Sequence, residues 1–207
     1  MAQALTVHRP ARGRRERRER VGRGYEMAKE IAAHLPRGSR VLDVGCGSGF
    51  IAHHLSALLG RAAEGLDVEP SAEAPIAYRT FDGKTLPYAD GAVDAVVFAY
   101  VLHHAQDQVA LIREARRVLA DGGRIVIYED TPRAWIDRYL CWRHDRKWRP
   151  RTGPCTFRRD EAWRALFEEL GLRVVVGRPL SRWRDPGYPV ARSFYVLAPG
   201  RACAAEQ

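Results

Sequence analysis

The chain has few cysteines and methionines, four and two in 207 residues. Cys46, Cys141, Cys155 and Cys203 fall at irregular spacings with no Cys-x-x-Cys pair. That argues against a disulfide framework and predicts free thiols in a reducing compartment. Cys141, His144 and Cys155 make an incomplete zinc set, because structural zinc takes four ligands and no fourth is evident, so no metal is expected. No apolar run is long enough to cross a bilayer. The arginine-rich opening is not followed by the apolar stretch of a secretory signal, and the residues after Arg14-Arg15 are charged, which argues against twin-arginine export. These absences point to the cytoplasm, with no transmembrane segment.

Acidic charge is also scarce relative to basic: the net charge is +9 and the pI near 9.8. The excess is local. Residues 1–24 carry eight arginines against Glu16 and Glu19, so most of it sits on an N-terminal arm and the rest of the chain is nearly balanced. Residues 1–20 show no apolar periodicity and read as a flexible basic arm; 21–200 read as one domain and 201–207 as a tail. Hydrophobic residues make up 46% of the chain, enough for one α/β core.

From Arg23 onward, short β-type runs alternate with helical patterns. Met27, Ile31 and Leu35 mark a helix face; Val41 to Val44 a strand; Ile51, Leu55, Leu58 and Leu59 a second helix. Strands follow at Ala63 to Val68, Ile76 to Arg79 and Val93 to Ala99, then a helix from Ala110 to Leu119. The Asp121-Gly122-Gly123 turn leads to a strand from Arg124 to Tyr128. After an irregular stretch come a helix from Asp160 to Leu170 and strands at Leu172 to Val176 and Arg192 to Leu197. Such alternation predicts an α/β fold, a mostly parallel sheet with helices on both faces that binds ligands beyond the carboxyl ends of its strands.

The motifs stand at those ends. Val41-Leu42-Asp43-Val44-Gly45-Cys46-Gly47-Ser48-Gly49 is a strand running into a glycine turn and then a helix, a place where backbone N–H groups meet a ligand. A nicotinamide fingerprint needs glycine at the sixth position of this turn; Phe50 stands there. Asp43 would offer a carboxylate to an ammonium. Asp67-Val68 ends the next strand, where an acid accepts hydrogen bonds from a ribose diol. Asp82-Gly83 would serve an adenine amine or simply shape a turn.

Taken in order over residues 38–130, these segments resemble the class I S-adenosylmethionine-dependent methyltransferases, within the broad group that includes the ubiquinone and menaquinone C-methyltransferases. Val101-Leu102-His103-His104 and Glu114 to Leu119 through Gly122-Gly123-Arg124 are similar to the segments after the fourth strand in that group. The resemblance implies a Rossmann-like seven-stranded sheet with an antiparallel last strand, and S-adenosylmethionine as cofactor. It implies that Gly45, Cys46, Gly47 and Gly49 pass under the methionine end and that Asp43 orients the ammonium. It further assigns Asp67 and Val68 to the ribose, Asp82 and Gly83 to the adenine, and Ala99 and Tyr100 to the neighbourhood of the sulfonium.

His103 and His104 are the candidate catalytic bases, with Glu129 and Asp130 nearby in position; the histidine pair also serves simply to close the pocket in this family. Adjacent histidines on a regular helix or strand point apart and make poor joint metal ligands. Residues 131–159 match no family pattern and are the expected acceptor lid. Within them Trp135, Tyr139 and Trp142 are spaced like one helix face packed on the core, and basic residues around Arg149 to Arg159 suit an anionic acceptor or a membrane surface. The expected acceptor is a small molecule or a quinone-like lipid. The alternatives are an RNA methyltransferase using the basic arm, disfavoured by Ala99-Tyr100-Val101-Leu102 where a base-amine motif would stand, and a non-catalytic S-adenosylmethionine-binding module.

Overall fold

The computed structural model describes residues 14–200; residues 1–13 and 201–207, read as arm and tail, lie outside the described residues. The expected arm boundary at residue 20 falls inside the first helix, α1 (Arg14–Ala32). Arg20 pairs with Glu73 at 2.8 Å, and Met27, Ala28 and Ile31 are buried. After α1 come β1 (Val41–Val44), α2 (Phe50–Leu59), β2 (Glu64–Asp67), β3 (Ala77–Thr80) and β4 (Val93–Ala99). A 3-10 turn (Leu102–His104) leads to α3 (Gln108–Val118), β5 (Leu119–Asp130), α4 (Trp135–Thr152), α5 (Asp160–Glu169), β6 (Leu172–Leu180) and β7 (Arg192–Pro199).

The strands form one seven-stranded sheet in the order β3-β2-β1-β4-β5-β7-β6, in which β7 alone runs antiparallel to its neighbours. This is the Rossmann-like arrangement that the resemblance implied. Along β4, Val96 and Phe98 face one side, where α3 supplies Leu111 and Ala115 and α5 supplies Trp163 and Phe167. Ala95 and Val97 face the other, against Ile31 of α1 and Leu55 of α2. The period-two alternation of a strand buried on both faces produces these two apolar layers. The start of β1 is tied to β4 by Arg40, which donates to both carboxylate oxygens of Asp94 at 2.6 and 3.1 Å.

β5 is longer than its apolar run suggests. Its register with β4 jumps from Val93↔Leu119 to Ala95↔Arg124, so the Asp121-Gly122-Gly123 turn is accommodated as a bulge inside the strand. No helix among the described residues is long and apolar enough to cross a membrane.

The order of connections positions the site. From β1 the chain steps outward through β2 and β3, then returns to begin β4 on the opposite side of β1. The loops after β1 and β4 therefore diverge and leave a crevice between them, where doubly wound sheets bind ligands.

Candidate functional site

A cavity of about 730 Å3 opens in that crevice. One end is walled by Gly45 and Gly47 after β1, Asp67 and Val68 after β2, and Asp82 and Gly83 after β3. The other end is walled by Tyr100, Val101 and His104 after β4, and by His144, Trp148 and Arg151 of α4. The volume lies within the range of small-molecule sites.

The glycine turn is built for close approach. Gly45 has φ +73, and a Cβ there would come within 2.1 Å of Val101 Cγ2, so the two loops meet backbone to side chain. Gly47 has φ +53 and a Cβ there would project into open space, at the cavity wall. Its N–H donates to Asp67 Oδ2 at 2.8 Å. Ser71 Oγ donates to the Gly47 carbonyl at 2.9 Å and stands 3.5 Å from the same Asp67 oxygen. Asp67 Oδ1 meets only the Glu69 N–H, at 3.3 Å, and keeps accepting capacity at the cavity wall.

Asp43 lies beneath this turn, wholly buried, and neither of its carboxylate oxygens has a hydrogen-bond partner among the described residues. Burial, with Asp67 adding to it, pushes its carboxyl up to about 7, against the lowering influence of the nearby Ala52 N–H. An acid in such a position is poised to gain from an incoming cation. Cys46 turns its thiol toward Gly65 of β2, and Gly49 opens α2 against Ile76. Burial, together with Asp43 and Asp67, raises the Cys46 thiol far above its usual range. Asp82 is both a turn residue and a wall residue: its Oδ1 accepts the N–H groups of Lys84 and Thr85 at 2.8 Å each, which holds its carboxyl below the ordinary value. Ala99 lies behind the wall at the end of β4.

Tyr100 is the only non-glycine residue with positive φ, +59, among the described residues. Bulky side chains avoid this region, at a cost of about 1–3 kcal/mol, so the surrounding structure holds this tyrosine in a constrained position. Like His144, it borders both the first cavity and a second of about 940 Å3, whose lining includes the charged Asp130, Arg184 and Arg192. The Arg192 guanidinium lies 5.6 Å from the Tyr100 ring centre, and burial pushes the phenol up to about 12.

The histidine pair does not follow the rule for adjacent residues. His103 and His104 sit in a 3-10 turn, not a regular helix or strand, and their ring centres are 4.3 Å apart. The tight turn folds both rings to one side, and the expectation that they point apart is corrected. His104 faces the first cavity; His103 is buried behind it, with Nδ1 2.7 Å from Glu129 Oε2. His144 Nε2 joins from α4, 3.2 Å from His104 Nε2. Burial and the neighbouring His103 and His144 lower the proton affinity of His104 to about 3; burial, His103 and Lys147 bring His144 to about 4. For His103 burial acts against the proton, but Glu129 and Asp130 outweigh it and the direction is upward.

A second correction concerns α4. Trp135, Tyr139 and Trp142 do not pack on the core: they are 78%, 48% and 51% exposed. The inward face is instead Asp137, Cys141, His144 and Trp148, one helical stripe at spacings of three and four. Asp137 is buried because the N–H groups of Ala134, at 2.9 Å, and Ala191, at 3.0 Å, converge on it. Ser71 is a wall residue that the sequence patterns did not single out; the sequence groups His144 with Cys141 and Cys155, and Trp148 and Arg151 with the aromatic and basic residues of the expected lid.

A family model described as a methyltransferase domain matches residues 14–176. The chain is 31% identical over 100 residues to ajmaline N-methyltransferase of Rauvolfia serpentina, covering 42% of this chain and 34% of that protein. It is 29% identical over 198 residues to methyltransferase GfsG of Streptomyces halstedii, covering 85% of this chain and 69% of the other. It thus spans about a third of the length of the first relative and about two thirds of the second. Among solved structures it is similar to a Haloferax volcanii methyltransferase in complex with the Trm112 methyltransferase activator, with a TM-score of 0.68 and 19% identity. That match covers 89% of this chain and 94% of that one and is a likeness of fold.

Proposed function

The chain belongs to the class I S-adenosylmethionine-dependent methyltransferases, and from that premise we propose that it transfers a methyl group to a small-molecule or quinone-like lipid acceptor. The observation that carries this reading is the shape of the first cavity, which runs from the polar glycine-turn wall of Gly47, Asp67 and Asp82 to the aromatic end of Tyr100, His104 and Trp148.

The residues present fit the cofactor. Gly47 leaves room where a side chain would stand, Asp67 has accepting capacity for a ribose diol, and the bare carboxylate of Asp43 lies beneath the turn where an ammonium would relieve it. Val68 and Gly83 flank the adenine place beside Asp82, and Asp82 Oδ2 is left to accept from an amine. Cys46 and Gly49 shape the turn from behind, and Ala99 sets the strand end from which Tyr100 projects. When bound, S-adenosylmethionine supplies an already activated methyl group.

The chain's own part is then to align the acceptor and keep water out. Tyr100, which borders both cavities, walls the acceptor space. His104 contacts the acceptor, and His103, fixed by Glu129, is a positioning residue behind it. Trp148 offers a flat apolar surface and Arg151 a cation, which suits a planar acceptor with an acidic group. The outward face of α4 supports a lipid-like acceptor reached at a membrane surface. Exposed Trp135, Tyr139 and Trp142 alternate there with Arg138 and Arg143, a composition suited to an anionic interface. Free thiols at Cys46, Cys141 and Cys155 suit a reducing cytoplasm.

Calorimetric titration with S-adenosylmethionine and, separately, NADH tests the cofactor assignment. Wild-type protein is expected to bind the first at micromolar concentration and not the second. Asp67→Ala is expected to lose at least tenfold in affinity, or about 1.4 kcal/mol. Well-folded protein that does not bind S-adenosylmethionine would overturn the reading. With binding secured, release of S-adenosylhomocysteine on adding phenols, quinols or amines identifies the acceptor.

A further inference from the structure

His103, His104 and His144 each bring one ring nitrogen within 4.8 Å of the other two. We infer that these three imidazoles form a binding site for a divalent transition-metal ion of the zinc class, with an open coordination position between the two cavities.

The hydrogen bonds around the cluster turn its lone pairs inward. A carboxylate only accepts, so His103 Nδ1 donates to Glu129 Oε2 at 2.7 Å, and in the neutral ring this leaves Nε2 with a lone pair. Among the described residues that Nε2 is buried with no hydrogen-bond partner, on a side chain 2% exposed, a state proteins rarely tolerate without a use for it. His104 is held in the same sense. Its Nδ1 lies 3.2 Å from Thr152 Oγ1, whose hydroxyl donates onward to the Trp148 carbonyl at 3.3 Å. In the tautomer in which Thr152 accepts from His104 Nδ1, His104 Nε2 keeps its lone pair. It points at His144 Nε2, 3.2 Å away, close to the edge of about 3.3 Å expected between two nitrogens on one tetrahedral zinc.

The surroundings decide the class of ion. The donor set is nitrogen only: Glu129 stands behind His103, and Cys155 Sγ lies on the Nδ1 side of His104, at 3.3 Å. Imidazole donors suit zinc, cobalt, nickel or copper and not magnesium or calcium. A carboxylate behind the ligand histidine is the usual device for fixing its tautomer and strengthening it as a donor. Three protein ligands leave a position for a further one, as in catalytic zinc sites. His104 and His144 line the first cavity and His103 and His144 the second, so that position lies between the two cavities. The ion would also clip α4 to the turn after β4 and fix the lid over the cavity. Assigning the open position to an ionisable oxygen of the acceptor, a phenol or enol, rests on the methyl-transfer reading; the metal site does not.

The test uses the full chain, expressed without affinity histidines, stripped by chelator and titrated with cobalt(II) chloride alone. The expected result is one equivalent bound, with the intense visible bands of a four- or five-coordinate ion, no near-ultraviolet thiolate band, and bleaching by zinc. His144→Ala lies on the partly exposed lid, where folding is least at risk, and is expected to lose at least a hundredfold in affinity. Glu129→Gln should weaken the site 10- to 100-fold, and Cys155→Ser should leave it unchanged. Absence of visible bands at millimolar cobalt, or wild-type affinity in folded His144→Ala, overturns the proposal. So does a thiolate band that Cys155→Ser removes. S-adenosylmethionine titrated into the stripped protein separates the two readings: cofactor binding without cobalt binding rejects only the metal site, and cobalt binding without cofactor binding rejects only the methyl-transfer reading.

Discussion

The two glycines that bracket Cys46 should fail in opposite ways when given a methyl group. Both have positive φ, +73 at Gly45 and +53 at Gly47, so alanine at either carries the left-handed strain of about 1–2 kcal/mol. At Gly47 nothing else is added, because the new Cβ meets no atom within 4 Å. At Gly45 it falls 2.1 Å from Val101 Cγ2 and 2.7 Å from Val101 Cβ, so the β4 loop must move. Overpacking of this kind adds about 1–3 kcal/mol, for a total of roughly 2–5 kcal/mol. In a domain of this size Gly47→Ala should lower the melting temperature by about 2–8 °C and Gly45→Ala by roughly 4–20 °C. Affinity should rank the other way relative to stability. The Gly47 methyl occupies ligand space, and Gly47→Ala is expected to lose at least tenfold in S-adenosylmethionine binding while staying folded. Differential scanning calorimetry and titration calorimetry on the same preparations decide it. Wild-type affinity in Gly47→Ala, or equal stability of the two variants, would refute the assignment of this turn as the cofactor cradle.

Asp43 predicts a pH dependence. Its buried carboxyl titrates at about 7 in the folded protein and near 4 in the unfolded chain, so the folded state holds an extra proton between those values, and stability falls as pH rises through that window. Asp43→Asn should therefore gain on wild type by a few kcal/mol (order of magnitude) between about pH 4.5 and 7.5 in urea titrations, and parallel curves would reject it. Trp163 is fully buried against Phe167, and Trp163→Ala should cost about 3–5 kcal/mol, read as a shift of the urea midpoint. The double variant Trp135→Ala/Trp142→Ala should leave the melting temperature unchanged within about 2 °C. It should also weaken sedimentation with anionic phosphatidylglycerol vesicles at least tenfold; unchanged sedimentation would remove the membrane-surface reading of α4.

The parts of the fold that sequence reveals are those where one force dominates. β4 was legible residue for residue because Val93 to Ala99 is buried on both faces and closes two apolar layers at once. The glycine turn, Asp67 and Asp82 were legible because strand ends in a doubly wound sheet leave few alternatives for such residues. The failures lie where two demands compete. On α4 the apolar periodicity of Trp135, Tyr139 and Trp142 read as core, yet the stripe facing inward carries Asp137, Cys141, His144 and Trp148. The inward stripe meets buried hydrogen-bond donors and a cavity wall as well as apolar core, so Asp137 and His144 turn inward while Trp135, Tyr139 and Trp142 stay exposed. Hydrophobic patterning inverts its meaning there. The left-handed Tyr100 has no glycine to announce it, and the meeting of His103 with His104 depends on a 3-10 turn too short for periodicity to register. All of these misreadings fall around the end of the cavity walled by the turn after β4 and by α4. The glycine-turn half of the cavity is written in shared motifs, and the half around Tyr100, His104 and His144 is written in residues whose local preferences are overridden by their neighbours.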